Sequence, residues 1–301
     1  MPTLSVIIAT YNRKCTLRKA LEAYERQESR KNLLELLVVD DGSDDGTAVM
    51  VNEWALRSPL NARYLRQEKQ GAAAARNFGI REAKGDVILF TDDDVIPSSN
   101  LIMEHAAWHS EFPKQEIAIL GCTIWDQYVK PTPFMNWLGD GGPMLSFRGL
   151  VSGQEVDFRH FYTGNISLKT IFLREKGMFD EDFDTYGYED IELGFRLQKA
   201  GIRLLYNADA IGFHHKFVTF TDACRRTESV AKSWEVFRAK EAGACLSRLA
   251  DESPPSKMRR FLRASLKRAE PVFAPLTPLL DSYVPLPRFV YRALLRYHSE
   301  R

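Results

Sequence analysis

Apolar positions in the first hundred residues alternate between continuous runs and helical spacing. The runs at residues 4–9 and 87–90 are aliphatic or aromatic almost throughout, a pattern that indicates strands buried on both faces. At residues 16–27, apolar side chains recur every three or four positions and predict an amphipathic helix. This alternation of strands and helices predicts an α/β fold with a mostly parallel, Rossmann-like sheet flanked by helices.

Acidic side chains follow two of the predicted strands directly. Asp40 and Asp41 end one apolar run, and Asp92, Asp93 and Asp94 follow another. Ligands of parallel sheets bind beyond the carboxyl ends of the strands, so we expect both groups at one edge of the sheet. Adjacent carboxylates beside a core repel one another unless a cation meets them. Taken alone, the three aspartates could equally form a solvated loop or a helix cap.

The second half of the chain supplies further acids and a histidine pair. After an irregular Trp-, Pro- and Gly-rich stretch at residues 122–160, typical of functional loops, a helix is predicted to begin at Glu189 and Asp190. A later strand ends at His214 and His215. Acids in a first helical turn also favour the helix dipole without catalysis, and a histidine pair can be structural. Together with the aspartates, these residues suit a hard divalent ion, Mn²⁺ or Mg²⁺, completed by a diphosphate.

Composition narrows the class of protein. The chain has 301 residues, 45% hydrophobic and 27% charged, as in soluble globular proteins, and a net charge of +1 gives no global signal for nucleic acid. Four scattered cysteines suggest neither a disulfide framework nor a zinc site. Because no apolar segment reaches membrane-spanning length and the N-terminus is a poor signal peptide, we expect a cytoplasmic protein.

The C-terminal region differs in charge from the rest. Residues 257–301 contain ten Lys or Arg residues against three acids. We therefore predict two domains, an α/β domain at 1–222 and a helical, basic extension at 223–301. The segment 257–273 has an amphipathic pattern that fits either peripheral contact with the inner face of a membrane or a helix packed on a domain.

Six segments carry a resemblance to family 2 glycosyltransferases of the GT-A fold. In order, they are SVIIATYNR, LLVVDDGSDDGT, GAAAARNFGI, FTDDDVIP, TGNISL and YGYEDIELGFRLQKAG. The similarity covers about residues 4–215. It implies inverting transfer of one sugar from a nucleoside diphosphate sugar, with a UDP-sugar favoured, to a carbohydrate or lipid-linked acceptor in polysaccharide or glycoconjugate synthesis.

The resemblance also implies roles for individual residues. Asp190 would be the general base, and Asp94 with His214 would hold Mn²⁺ or Mg²⁺. The implied nucleotide-sugar residues are Ala9, Tyr11, Asp41, Arg76, Asp92 and Asp93. Weaker expectations on the acceptor side or nearby are Gly164, Asn165, Glu189, His215 and Trp125. An inverting displacement places its base opposite the leaving diphosphate, and the separation of Asp94 and Asp190 along the chain allows this.

Alternatives remain at the level of the sequence. The stretch VILFTDDDV also fits the DxDxV motif of haloacid-dehalogenase-like phosphatases, although that motif normally opens its domain and here follows at least three strand units. A non-catalytic sugar- or nucleotide-binding module on the same fold is the other alternative. The later Gln-x-x-Arg-Trp motif and transmembrane helices of processive relatives are not found after Asp222, which favours a single-addition enzyme.

Overall fold

The computed structural model describes residues 1–28, 30–140, 143–144, 146–252 and 274–299. The strands of this part are β1 (Leu4–Thr10), β2 (Leu33–Asp40), β3 (Ala62–Arg66), β4 (Val87–Asp92), β5 (Val95–Pro97), β6 (Ile117–Trp125), β7 (Glu155–Val156), β8 (Asn165–Lys169) and β9 (Arg203–His214). The helices are α1 (Lys14–Glu25), α2 (Thr47–Arg57), α3 (Ala72–Glu82), α4 (Leu101–Glu111), α5 (Pro133–Gly139), α6 (Thr170–Lys176), α7 (Glu189–Lys199), α8 (Phe220–Ala239), α9 (Glu241–Glu252) and α10 (Arg288–Ser299).

The chain divides into two compact units. The first comprises residues 1–124 and 149–215, and the second comprises 125–148 and 216–301. The boundary predicted after residue 222 falls inside the first turn of α8, whereas the contacts divide the chain before this helix begins. The second unit also takes in the segment 125–148, which the sequence pattern assigned to the α/β domain.

One sheet organises the first unit. Its strand order is β3-β2-β1-β4-β8-β6-β9-β5, with β7 paired to β9. The first four strands are parallel, as the continuous aliphatic runs predicted. Strands β8 and β4 run antiparallel, as do β8 and β6, and β5 and β7 both run antiparallel to β9. The predicted parallel arrangement therefore holds for β1 to β4, and the remaining strands add antiparallel pairs.

Burial explains why the four parallel strands form. Strand β1 lies between β2 and β4, and its side chains from Leu4 to Ile8 are all buried. Helix α1 packs Leu17, Leu21 and Tyr24 into the same core cluster, which matches its predicted amphipathic spacing. Fully burying one such aliphatic side chain contributes about 1.5–3 kcal/mol, so this layer dominates the stability of the unit.

The second unit has its own aromatic core. Phe134 on α5 packs against Phe220 on α8 and Tyr291 on α10, with ring centroids 5.7 Å apart in both pairs. Thr219 and Asp222 form a reciprocal capping box that fixes the start of α8. Trp137 is also buried in this core.

Peripheral contact with a membrane was one interpretation of the C-terminal sequence pattern. None of the helices within the described residues is long and apolar enough to cross a membrane. The amphipathic segment 257–273, on which the expectation of peripheral membrane contact rests, lies outside the described residues.

The contact between α3 and β1 depends on a residue without a side chain. A Cβ atom at Gly79 would lie 2.6 Å from Cγ2 of the buried Ile7. Overpacking of this kind typically costs about 1–3 kcal/mol, which exceeds the gain of about 1 kcal/mol in helix propensity on replacing glycine by alanine. We therefore expect Gly79→Ala to lower the free energy of unfolding in urea by roughly 1–2 kcal/mol.

A double variant tests whether this cost comes from the contact itself. In an Ile7→Ala background, which removes the opposing methyl groups, Gly79→Ala should cost measurably less than in the wild-type protein. Equal or higher stability of the single variant would contradict the steric explanation.

Candidate active site

The two acidic groups of the sequence meet where the parallel strands end. In the register of the sheet, Ala9 lies beside Val39 and Asp92, and Thr10 lies beside Asp40. The carboxyl ends of β1, β2 and β4 are thus adjacent, as a parallel sheet requires. The carboxylates that follow β2 and β4 flank the same short segment of β1.

Arginine supplies the positive charge that the aspartate run lacked in the sequence pattern. One guanidinium nitrogen of Arg13 lies 3.4 Å from Oδ1 of Asp93 and also contacts Oδ2 of Asp94. Thr10 donates its hydroxyl to Oδ2 of Asp93 at 2.8 Å. Burial, together with the nearby charges of Asp94 and Asp92, raises the pKa of Asp93 to about 7 despite the opposing effect of Arg13.

The histidine pair separates into two environments. Nε2 of His214 lies 3.4 Å from Oδ1 of Asp94. Nε2 of His215 instead lies 2.8 Å from the amine of Lys19, and the backbone N–H of His215 donates to the carbonyl of Asp94. Successive side chains of a strand point to opposite faces, so only His214 shares the face of the Asp94 carboxylate.

Asp94 and His214 fit a site for a divalent ion. Adjacent ligands of an octahedral ion with bonds of about 2.1 Å lie about 3 Å apart, close to the 3.4 Å between Oδ1 of Asp94 and Nε2 of His214. Within the described part of the chain, no group of three or more His, Cys, Asp or Glu side chains is arranged to hold a metal by itself. An ion here would need ligands from substrate oxygens or water.

Asp41 and Tyr11 are two of the residues expected to bind the nucleotide sugar. The Asp41 carboxylate is buried and accepts three hydrogen bonds of 2.8 Å, from the side-chain amide of Gln67 and from the backbone N–H groups of Gln70 and Gly71. This residue therefore fixes the loop that leads into α3. The amine of Lys69 lies over the partly exposed ring of Tyr11, 4.1 Å from the ring centroid.

Arg76 joins the strand-end acids to helix α7. Its side chain is buried, with one nitrogen 3.3 Å from Oδ1 of Asp92 and the other 3.0 Å from Oε1 of Glu189. Glu189 accepts the backbone N–H of Gly187 with its second oxygen at 2.9 Å. Both oxygens of Glu189 are thus engaged in holding Arg76 and the turn before α7. Arg76 and Glu189 lie 113 positions apart in the chain.

Asp190 follows in the first turn of α7 and is only partly buried. Tyr188, at φ 66°, and Gly187, at φ 118°, turn the chain sharply into this helix. Desolvation, reinforced by the charge of Glu189 and opposed by Arg76, raises the pKa of Asp190 to about 7. The charge of Asp92 contributes in the same direction, which places the two carboxylates within electrostatic reach of each other. Asp190 thus combines some solvent access with a pKa suited to accepting a proton near neutrality.

Tyr162 is a further residue beside Asp190. Burial and then the charges of Asp190 and Asp157 raise its pKa to about 12, so the phenol stays protonated at neutral pH. The motif TGN, at Thr163–Asn165, follows directly. A Cβ atom at Gly164 would lie 3.1 Å from Oδ2 of Asp92, so a side chain at this position would require the carboxylate to shift by a few tenths of an ångström.

Asn165 is a structural anchor behind this backbone. Its amide nitrogen donates to the carbonyls of Cys122 and Ala210 at 3.1 and 2.8 Å, so its oxygen must accept. The partner is Nε2 of the fully buried His105, at 2.9 Å. Asn165 therefore ties β8 to β6, β9 and α4.

The donors and acceptors of this hydrogen-bond network determine which nitrogen of each imidazole carries the proton. Because Nε2 of His105 carries the proton, its Nδ1 accepts from the hydroxyl of Ser167 at 2.7 Å. Ser167 in turn accepts from Nε2 of His109 at 2.9 Å. Burial lowers the pKa of His105 to about 4 and holds the pKa of His109 well below its usual value, so both imidazoles are neutral.

Two aromatic side chains, Phe161 and Trp125, make contacts within the protein. Phe161 is fully buried and lies against Gly194 on α7. Trp125 belongs to the second unit and donates its indole N–H to the carbonyl of Met135 at 2.8 Å. The weak expectation that Trp125 contributes to the site stays untested.

Comparison with known proteins identifies the domain. Residues 5–128 match the model of glycosyl transferase family 2. Validoxylamine A glucosyltransferase of Streptomyces hygroscopicus subsp. limoneus is 33% identical over 236 residues, covering 70% of this chain. Residues 5–128 of the chain therefore form a glycosyl transferase family 2 domain. It spans 51% of the length of that curated relative.

Solved structures confirm that this family 2 protein has the GT-A fold. The mannosyltransferase PcManGT from Pyrobaculum calidifontis, in complex with GDP-Man and Mn²⁺, aligns with a TM-score of 0.59 at 18% identity, over 99% of this chain and 87% of that chain. S. aureus TarS 1-349 in complex with UDP gives 0.59 at 20% identity, over 99% and 90% of the two chains.

Sequence reasoning missed several residues of this family 2 site. Arg13 was visible in the motif TYNR, but its pairing with acids 80 positions away has no local signal. Lys69 and Tyr162 lie in ordinary loop sequence, and only the folded chain brings Lys69 to Tyr11 and Tyr162 within electrostatic reach of Asp190.

The buried His105 makes stability depend on pH. Its native pKa of about 4 lies below the ordinary 6.5, so the unfolded chain binds a proton that the native family 2 domain does not. Stability from this residue is therefore present above pH 6.5 and is lost as the pH falls towards 4. Between pH 7 and pH 5, we expect the free energy of unfolding of His105→Gln to fall by about 2 kcal/mol less than that of the wild-type protein.

Urea unfolding of both proteins at several pH values measures this difference. The comparison cancels the opposite contributions of Asp93 and Asp190, whose raised pKa values are present in both proteins. Parallel stability curves for the two proteins would show that His105 does not titrate as the structure implies.

Proposed function

We propose that this protein is a metal-dependent, inverting glycosyltransferase. It moves one sugar from a nucleoside diphosphate sugar, with a UDP-sugar favoured, to a hydroxyl of a carbohydrate or lipid-linked acceptor. Family membership supports the reaction class. The decisive observation is that Arg76 joins Asp92, at the end of β4, to Glu189, next to the candidate base Asp190.

The donor side is formed by the strand ends. Asp92 and Asp93 lie beside Ala9 and Thr10, where the ribose and diphosphate would bind, and Asp94 with His214 would hold a divalent ion. Such an ion supplies neutralisation of the negative charge that develops on the leaving diphosphate. Arg76 is fixed by two carboxylates at the same edge and adds a permanent positive charge there.

The acceptor side depends on Asp190. Its partly exposed carboxylate accepts the proton of the attacking hydroxyl, and its raised pKa brings its basicity close to the working pH. Glu189 uses both oxygens to hold Arg76 and Gly187, so it is not placed as a second catalytic carboxylate. One available carboxylate fits a single displacement, which inverts the anomeric centre.

The solved neighbours support a nucleotide donor and leave its base open. One was crystallised with GDP-Man and Mn²⁺ and another with UDP. A carboxylate at the position of Asp41 can accept N–H donors from either uracil or guanine. The preference for uridine rests on the family resemblance. Titration with a panel of nucleoside diphosphates tests it.

Replacing the base tests the acceptor side. Asp190→Asn should reduce sugar transfer by about 10²–10⁴-fold and change donor affinity only a few-fold, because the amide cannot accept the proton. In the wild-type protein, kcat should rise with pH through an apparent pKa near 7, since the carboxylate must be unprotonated.

Asp182→Asn is the matched control, because it makes the same charge change at an exposed position of the preceding loop. It should retain transfer. Full turnover by Asp190→Asn would remove this residue as the base.

Calorimetric titration tests the donor side. UDP should bind at least tenfold more tightly with Mn²⁺ than with EDTA, and Asp94→Asn or His214→Ala should remove most of this difference. Parallel titrations with GDP and dTDP identify the base. Absence of metal-dependent binding for every nucleoside diphosphate would contradict the proposed donor site.

The same preparations separate the alternative functions. Hydrolysis of p-nitrophenyl phosphate that is lost in Asp92→Asn would support a phosphatase, although the family 2 match does not favour it. Tight binding of sugar nucleotides without transfer to any of a broad panel of acceptors would support a non-catalytic binding module.

A further inference from the structure

We propose that Arg13 is the resident counter-cation of Asp93 and Asp94 and keeps a divalent ion from binding there before the nucleoside diphosphate arrives. This inference rests on the proposed function, because it concerns the order in which metal and donor enter that site. It assigns to Arg13 a positioning and gating role, which is distinct from contact with the reacting atoms.

The first argument is the geometry of the contact. The guanidinium of Arg13 spans both carboxylates, touching Oδ1 of Asp93 and Oδ2 of Asp94. Oδ1 of Asp94 is the oxygen that faces His214. A cation held by Asp94 and His214 would therefore share one carboxylate with the guanidinium.

The second argument is charge. A guanidinium stays protonated at every physiological pH, so Arg13 cannot withdraw its charge by losing a proton. Like charges that share a buried carboxylate repel, and salt screens them little because the acids are buried. Arg13 therefore weakens the attraction of the two aspartates for a free divalent ion.

The third argument is the contrast in exposure. The side chains of Asp93 and Asp94 are 8% and 6% exposed, whereas that of Arg13 is 38% exposed. The backbone of Arg13 is fixed at the start of α1, where its carbonyl accepts from Thr16 and Leu17. The residue thus has a rigid anchor and a charged end that can shift towards solvent.

A diphosphate reverses this balance. Its negative charges offset those of Arg13 and the ion together, so the ion and the diphosphate bind favourably as a pair. Arg76 does not substitute for Arg13, because it is buried and committed to Asp92 and Glu189. The two arginines therefore divide the cluster, with Arg76 on Asp92 and Arg13 on Asp93 and Asp94.

The test is Mn²⁺ binding measured by the electron paramagnetic resonance signal of the free ion, with and without UDP. For wild type, we expect weak binding of Mn²⁺ alone and at least tenfold tighter binding with UDP. Arg13→Gln should bind Mn²⁺ alone about tenfold more tightly than wild type, and Arg13→Lys, which keeps the charge, should stay closer to wild type.

Arg18→Gln is the matched control, since it removes the same charge from an exposed position on the same helix. It should bind Mn²⁺ as wild type does. An increase in Arg18→Gln equal to that in Arg13→Gln would overturn the inference, because the effect would then follow net charge.

Other outcomes distinguish a failure of the gating role of Arg13 from a failure of the proposed function. If wild type binds Mn²⁺ equally well with and without UDP, the gating role of Arg13 fails while the metal site stands. If Arg13→Gln misfolds by circular dichroism, Arg13→Met, which also removes the charge, takes its place, and Mn²⁺ binding alone that is no tighter than in wild type would overturn the inference. If no protein binds Mn²⁺ even with UDP, both the inference and the proposed metal dependence are wrong.

Discussion

The site depends on keeping several carboxylates together at the edge of a hydrophobic sheet. Asp92, Asp93 and Asp94 follow a strand whose other residues are buried, and such a group is costly without compensating charge. Arg13 and Arg76 provide that charge from opposite directions, one from the turn after β1 and one from within α3. Without these two contacts, repulsion would move the acids apart or protonate them.

The parallel half of the sheet is the scaffold that makes this clustering feasible. Since β1 lies between β2 and β4, the chain segments after three strands share one edge, and the loop after β3 is held there by Asp41. The antiparallel half then adds further residues to this edge. Strand β8 pairs with β4 and brings Gly164 against Asp92, and β9 brings His214 to Asp94.

The polar groups of the first unit form two different arrangements, a neutral hydrogen-bonded network in the interior and a group of acids at the edge of the sheet. The network of His105, Ser167 and Asn165 is neutral, and its hydrogen bonds fix the position of β8 without contacting the candidate metal site. The acids at the end of β4 pair with Arg13 and Arg76, and Asp92 and Asp190, the latter in the first turn of α7, are only partly buried. The neutral interior network holds the strands in position, while the acidic edge is where we propose that substrate binding and proton transfer take place.

The amino-acid sequence alone determined the order of the first strands and helices and the positions of the acids at strand ends. These features are local, because hydrophobic spacing and the residues that follow a strand lie within a short stretch of chain. The family resemblance added the expected roles of Asp94, Asp190 and His214, which stay predictions.

Only the tertiary structure decided the pairing of Arg13 with Asp93 and Asp94, the bridge from Arg76 to Glu189, and the separation of the two histidines. The antiparallel direction of β8 and the division of the chain into two units were likewise decided only by the tertiary structure. Each depends on contacts between residues far apart in the chain, and no local pattern encodes which distant partner a charged side chain will meet. Folding brings those partners together, and the cost of leaving buried charges unpaired selects the arrangement.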